Sequence, residues 1–151
     1  AGDLVLRQTE AILLHVARTA PGGRAFLPEA GDPRAEMEDW LLFAAADLAV
    51  ARTARRVALF EGDQAPLPGL RAEAAAALTI LEDHLAEQRV RGLPFVAGER
   101  ASVADIALFP AFALSHDFHL GHETFPALRL WAREIRALDG FVTMPGIPAF
   151  H

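Results

Sequence analysis

The sequence has 151 residues, of which 52% are hydrophobic, and its formal net charge is −6 at pH 7. This length allows one domain with a sizeable core, and the acidic balance argues against a nucleic-acid or anionic-membrane surface, because both would need clustered positive charge. The sequence contains no cysteine, which excludes a disulfide framework, a thiolate metal site and a cysteine nucleophile.

The first twenty residues show the pattern of a strand followed by a helix. A Gly-Asp turn pair precedes the aliphatic run Leu4–Arg7, which is typical of the second strand of a β-hairpin. Apolar side chains then recur at helical spacing over Thr9–Thr19, and a Pro-Gly-Gly sequence ends this helix. Residues 21–33 hold three prolines and several glycines, and we interpret them as an ordered linker between two units.

From residue 34 onward, every periodic segment predicts a helix. The four predicted helices span about 34–61, 70–92, 102–115 and 124–140. Pro110 falls inside the third, where we expect it to kink the helix or end its regular hydrogen bonding. The chain is therefore predicted to be mainly α-helical.

The third predicted helix begins with a capping-box pattern. Asp105 follows Ser102 by three residues, so the serine hydroxyl can accept from the N–H of Asp105 while the carboxylate accepts from the N–H of Ser102. The apolar run Ile106–Phe109 follows at once. We therefore assign both polar residues a structural role, and Ser102 is not expected to act as a nucleophile.

Three segments together resemble the glutathione S-transferase family. They are residues 93–109, with P-F-V-A-G before the cap and A-D-I-A-L after it, the Q-T-E at residues 8–10, and the F-P-A-L-x-x-W at residues 125–131. The resemblance implies a mainly α fold, with residues 34–151 as the family's C-terminal-like all-α helical bundle. Residues 1–20 would be a remnant of its thioredoxin-like domain, a strand plus a helix, and residues 21–33 the linker.

The resemblance also implies a glutathione site. In the family, the position of Thr9 offers a hydroxyl and a backbone N–H at a helix N-terminus to the γ-glutamyl end of glutathione, and Gln8 belongs to the same pair. Asp47 lies where many members carry an acidic residue that reaches the γ-glutamyl ammonium across a dimer interface. From the residues alone, Thr9 as a helix cap and Asp47 as a solvated aspartate remain open.

Arg52, Arg55 and Arg56 cluster at helical spacing in the long predicted helix. The resemblance places this helix beside the pocket for a small hydrophobic electrophile, and Arg52 and Arg56 are its candidate residues. A solvated arginine face is the alternative interpretation.

A metal site is a further possibility, at the three histidines His116, His119 and His122. Successive steps of three residues do not keep all three on one helical face, and the segment crosses a helix end. We therefore expect no metal.

The resemblance implies glutathione as the co-substrate of a parent enzyme that conjugates it to small electrophiles or reduces them with it. The family's thiol-activating Tyr, Ser or Cys lies in the part of the thioredoxin-like domain that would precede residue 2. This sequence has no tyrosine or cysteine, and its two serines are Ser102, in the cap, and Ser115, near a helix end. No catalytic residue is assigned, and we expect this chain alone to be inactive. The alternative is a non-catalytic binding or protein-interaction module built on the α domain.

The expected partners are glutathione, the electrophile and a second copy of the chain. Family practice implies a homodimer whose interface includes the helix with Trp40 and Asp47, and the apolar composition agrees with this. No run of about 18 apolar residues and no basic leader is present, so we expect a cytoplasmic protein.

Overall fold

Six α-helices and two short 3₁₀-helices make up the computed structural model, which describes residues 3–150. The α-helices are α1 (Thr9–Thr19), α2 (Asp32–Ala45), α3 (Ala49–Phe60), α4 (Leu67–Val90), α5 (Val103–Ala113) and α6 (Pro126–Arg136). The first 3₁₀-helix spans Gly23–Phe26 and the second spans Ser115–Phe118. The predicted mainly α fold is confirmed, and none of the helices in the described residues is long and apolar enough to cross a membrane.

The N-terminal segment differs from its prediction in one element. Residues 4–7 form no strand, because a strand requires hydrogen-bonded pairing and no other segment within residues 3–150 pairs with them. Helix α1 spans Thr9–Thr19 as predicted and buries Ala17 in the main core. A Cβ at Gly23 would lie 2.8 Å from the carbonyl oxygen of Ala17, so the absence of a side chain lets the chain fold back over the end of α1.

The long helix predicted over residues 34–61 is two helices, α2 and α3, separated at residues 46–48. The Leu48 N–H donates to the Phe43 carbonyl at 3.0 Å, one residue further back than in an α-helix. Leu48 is thereby buried in the main core, whereas Ala46 and Asp47 are exposed. Because of this break, the apolar face of α3 packs into a second cluster, separate from the cluster that α2 joins. The apolar residues keep their helical spacing across residues 46–48, so the sequence pattern gives no sign of the break.

The remaining predicted helices are present as α4, α5 and α6. Gly92 and Gly140 follow α4 and α6 with φ of +78° and +80°, the left-handed conformation that glycine adopts without strain. Helix α5 continues through Pro110 to Ala113, with the proline on its exposed side.

The main core surrounds the fully buried rings of Phe112 and Trp131 and draws on α1, α2, α4, α5 and α6. Phe150 joins it from the C-terminal tail, stacked on Phe112 with the ring centroids 5.5 Å apart. The smaller second cluster lies between α3, α4 and the second 3₁₀-helix, and consists of Ala51, Ala54, Val57, Leu67, Ala74 and Phe118.

Candidate functional site

A cleft of about 360 Å³ opens between α3, α5, the second 3₁₀-helix and the C-terminal tail. Its charged lining consists of Arg52, Arg55 and Arg56, which share one face of α3 because they are three and four residues apart. Its apolar lining consists of Ala51, Phe60, Pro110, Ala111, Leu114, Phe118 and Met144. We call this space the arginine cleft. The structure thus places both predicted electrophile-pocket residues, Arg52 and Arg56, in one cleft.

The three arginines differ in how firmly they are held. Arg55 Nε donates to Asp117 Oδ2 at 2.7 Å, a half-buried contact that joins α3 to the second 3₁₀-helix. Arg52 lies 3.8 Å from a carboxylate oxygen of Glu10, and Arg56 pairs with Glu61. The side chains of Arg52 and Arg56 are 60% and 62% exposed, so solvent screens their ion pairs. Arg55 therefore braces the cleft, while the other two arginines remain accessible.

The N-terminus of α1 carries the predicted residues Gln8 and Thr9. Gln8 is the N-cap residue, in extended conformation, and its side chain makes no capping hydrogen bond. Thr9 is the first helical residue and is exposed, so it does not cap its own helix. Because Arg52 near the start of α3 contacts Glu10 in the first turn of α1, the starts of the two helices lie on the same side of the molecule.

Asp47 lies at the break between α2 and α3. It is exposed, and among the described residues no side chain forms a hydrogen bond or ion pair with it. Within the described residues, the Asp47 carboxylate is therefore available to a partner from outside the chain.

Asp105 is the centre of a buried polar network at the start of α5. Ser102 and Asp105 form the capping box, in which the carboxylate accepts from the Ser102 N–H at 2.8 Å. The other carboxylate oxygen accepts from the Val96 N–H at 3.1 Å and from the Trp131 indole N–H at 2.9 Å. Burial raises the pKa of Asp105 above its ordinary value, although the hydrogen bonds from Trp131, Ser102 and Val96 act in the opposite direction. The network joins α5 to α6 and to the preceding loop.

Sequence reasoning missed two parts of this arrangement. The spacing of Ser102 and Asp105 indicates a local cap, but nothing in it points to Trp131, which lies in another helix. Glu82 of α4 was also missed. Its two carboxylate oxygens accept from the N–H groups of Ala127 and Leu128, both at 2.8 Å, and so cap α6 from outside. A glutamate at the centre of a helix carries no signal of such a contact.

The histidine segment is held by packing and hydrogen bonds. His122 Nε2 donates to the Phe112 carbonyl at 2.9 Å, and burial lowers the pKa of His122 below its ordinary value. His116 lies 3.3 Å from Asp117, and His119 is exposed. In the part of the chain that the structure describes, no three His, Cys, Asp or Glu side chains are grouped to hold a metal ion.

Comparison with known proteins gives a consistent result. Residues 13–134 match the family model for the C-terminal domain of glutathione S-transferase. A glutathione S-transferase structure from Xanthobacter autotrophicus is 30% identical with a TM-score of 0.80, over 93% of this chain and 67% of that one. The structure of a possible glutathione S-transferase from Rhodopseudomonas palustris is 26% identical, with a TM-score of 0.78. The match covers 95% of this chain and 63% of that chain.

A glutathione transferase homologue from Lodderomyces elongisporus, solved with two GSH per subunit, is 25% identical with a TM-score of 0.77, over 92% of this chain and 66% of that one. The chain therefore spans about two thirds of the length of these solved relatives. A search of curated protein sequences finds no match.

Proposed function

The chain belongs to the glutathione S-transferase family, and from this premise we propose that it is the helical half of a cytoplasmic enzyme that conjugates glutathione to small electrophiles or reduces them with it. The observation that carries the proposal is the arginine cleft, a concave space with an apolar lining whose arginine Arg52 reaches the start of α1. Glutathione is the co-substrate, and no metal takes part. The Lodderomyces elongisporus homologue with its two GSH supports this choice of ligand.

We assign the glutathione end of the site to Gln8, Thr9 and Asp47. The first N–H groups of α1 and the positive end of its dipole favour a carboxylate, and the Gln8 side chain does not occupy them as a cap. The exposed Asp47 supplies a negative charge for the γ-glutamyl ammonium. In this arrangement Asp47 acts on the glutathione bound to a second subunit.

The proposal includes a homodimer that contacts through α2, around Trp40, and through the break that follows α2, at Asp47. Leu42 on the same helix is 67% exposed, which supports the burial of this surface in an assembly. Light scattering at micromolar concentration is expected to give about twice the chain mass of 16.3 kDa. A mass of one chain at every concentration would contradict the dimer.

Enzyme activity tests the main proposal. The 151-residue chain is expected to show no conjugation of glutathione to an aryl halide above background, because it offers no group to activate the thiol. A fusion with a thioredoxin-like half upstream is expected to turn over at about 1 per second or faster.

In that fusion, Thr9→Ala should weaken glutathione binding about tenfold, since it removes a hydroxyl donor to a charged group. Thr19→Ala at the other end of α1 is the matched control, because the Thr19 hydroxyl donates only to the His15 carbonyl. Unchanged glutathione affinity in Thr9→Ala would remove Thr9 from the site.

A non-catalytic interaction module is the second candidate function. This candidate is favoured by the state of the two serines in the chain. Ser102 and Ser115 are both fully buried and hydrogen-bonded within the fold, so neither hydroxyl can activate a bound thiol. A fusion that folds but neither binds glutathione nor turns over would establish this candidate in place of the enzyme.

A further inference from the structure

We propose that the arginine cleft selects electrophiles that are organic anions, with an apolar body and a carboxylate or sulfonate group. The inference rests on the proposed function and goes beyond it by naming the charge of the substrate. Arg52 and Arg56 are the residues that determine this specificity.

The charge of the cleft is opposite to that of the chain. The net charge is −6, which repels anions at long range, yet every charged side chain that lines the cleft in the described residues is an arginine. The acidic partners Glu10, Glu61 and Asp117 lie outside the lining. The carboxylates reach the guanidinium groups from outside this lining, so an entering anion meets the arginines first and shares or replaces their acidic partners.

The accessible arginines can change partners at low cost. The Arg52–Glu10 distance of 3.8 Å is long for an ion pair, and the arginine side chains of both the Arg52 and the Arg56 pair are exposed to solvent, although the Glu10 side chain is only 13% exposed. Ion pairs whose arginine is solvent-exposed contribute little to stability, so an anionic ligand can compete with Glu10 and Glu61 for these two guanidinium groups. The short Arg55–Asp117 contact keeps the wall of the cleft in place meanwhile.

The other walls of the cleft require an apolar body on the ligand. Phe60, Leu114 and Met144 line it, and a ring held against them excludes water from the arginine side. With water excluded, the attraction between a guanidinium group and an anion grows, because the local dielectric constant falls. The two kinds of lining therefore act together on an amphipathic anion.

The test compares two probes that differ in charge but share a ring system, 1-naphthoate and the neutral 1-naphthamide. Calorimetry on the 151-residue chain, without glutathione, is expected to give about tenfold tighter binding of the anion. Arg52→Gln and Arg56→Gln should each reduce this preference about three- to fivefold. Arg133→Gln, on the exposed face of α6 and outside the cleft, removes the same charge and should leave the preference unchanged.

Phe60→Ala serves as the second control, because it should weaken both probes alike. Equal affinity for the two probes, or a preference that survives the Arg52→Gln/Arg56→Gln double variant, would overturn the inference. The calorimetry contains no glutathione, so it tests anion binding independently of enzyme activity. If the chain prefers the anion but the fusion with a thioredoxin-like half shows no conjugation, only the proposed enzyme activity is refuted. Conjugation of neutral and anionic aryl halides at equal kcat/KM refutes only the anion specificity.

Discussion

Asp105 accepts four hydrogen bonds in the buried network, two on each carboxylate oxygen. Asp105→Ala leaves the N–H groups of Val96, Ser102 and Trp131 without acceptors in a region that water does not reach, so we expect a loss of about 3 kcal/mol or more in the free energy of unfolding. Ser102→Ala removes one hydroxyl and should cost about 1 kcal/mol. Urea unfolding measures both.

Asp83→Ala is the matched control, because Asp83 is exposed on α4 and its removal should change the free energy of unfolding little. If Asp105→Ala unfolds at the same urea concentration as Asp83→Ala, the network does not stabilise the fold.

His122 gives the protein a dependence on pH near neutrality. Its pKa is lowered below the ordinary value of 6.5 by burial, so the unfolded chain binds the proton more readily than the folded one. The stabilisation is complete above pH 6.5 and is lost as the pH falls toward the lowered pKa. The charged or titratable groups that act on it are His116, Glu123 and Arg129.

The variant His122→Gln retains a hydrogen-bond donor but cannot titrate. Subtracting its unfolding free energy from that of the parent between pH 5 and 7.5 should give a difference that shrinks as the pH falls. The corresponding difference for Thr19→Ala, at an exposed position on α1 without a titratable side chain, should stay flat. A flat difference for His122→Gln as well would show that His122 is not the group involved.

At the residue scale, the sequence revealed what is local and concealed what is not. The Ser102–Asp105 cap follows from a spacing of three residues and a helix geometry that is the same in every protein. The bond from Trp131 depends on how α6 packs across α5, and no spacing within either helix encodes that. For Gln8, Thr9 and Asp47 the spacing carries no chemistry of its own, and only the family resemblance pointed to them.

Helix α6 depends on a carboxylate from another helix for its first turn. Glu82→Gln replaces one of the two acceptor oxygens with an NH2 group, which cannot accept, so one of the bonds from the N–H groups of Ala127 and Leu128 is lost, the other loses its charge assistance, and the favourable interaction with the helix dipole disappears. We expect a loss of about 1–2 kcal/mol in unfolding free energy and faster hydrogen exchange of those two amides.

Glu73→Gln on the exposed side of the same helix is its control and should leave both amides unchanged. Equal exchange rates for Ala127 and Leu128 in the two variants would mean that α6 does not need the cap.

The sequence-based predictions failed for the two elements whose structure depends on contacts with other parts of the molecule. Residues 4–7 have the composition of a strand, but a strand exists only when another backbone pairs with it. Residues 46–48 continue the helical spacing, yet the helix breaks there. As a result, Leu48 packs in the main core while the small side chains of α3 pack in the second cluster. In contrast, α1 and α4 are bounded by Pro and Gly signals that act within a few residues, and the sequence predicted their existence correctly.

The two apolar clusters should give the molecule two levels of local stability. The main core contains large rings such as Phe112 and Trp131, whereas half of the second cluster is alanine, which buries little apolar area. We expect native-state hydrogen exchange to show that α3 opens at a lower free energy than α5. Val57→Ala should accelerate exchange in α3 alone.

Leu108→Ala, in the main core, is the contrasting variant and should accelerate exchange throughout the described helices. Amides of α3 that exchange as slowly as those of α5 in the parent protein would contradict this division.

Phe150 has a consequence for the order of events during synthesis. Its ring packs against Phe109, Phe112 and His122, all of which are made well before it. On the ribosome, where a domain folds as its chain emerges, the ring of Phe112 can contact His122 and Phe125 early but lacks its stacked partner until residue 150 has left the exit tunnel. Until then, the helices that have already emerged expose the part of their apolar surface that Phe150 covers in the finished core.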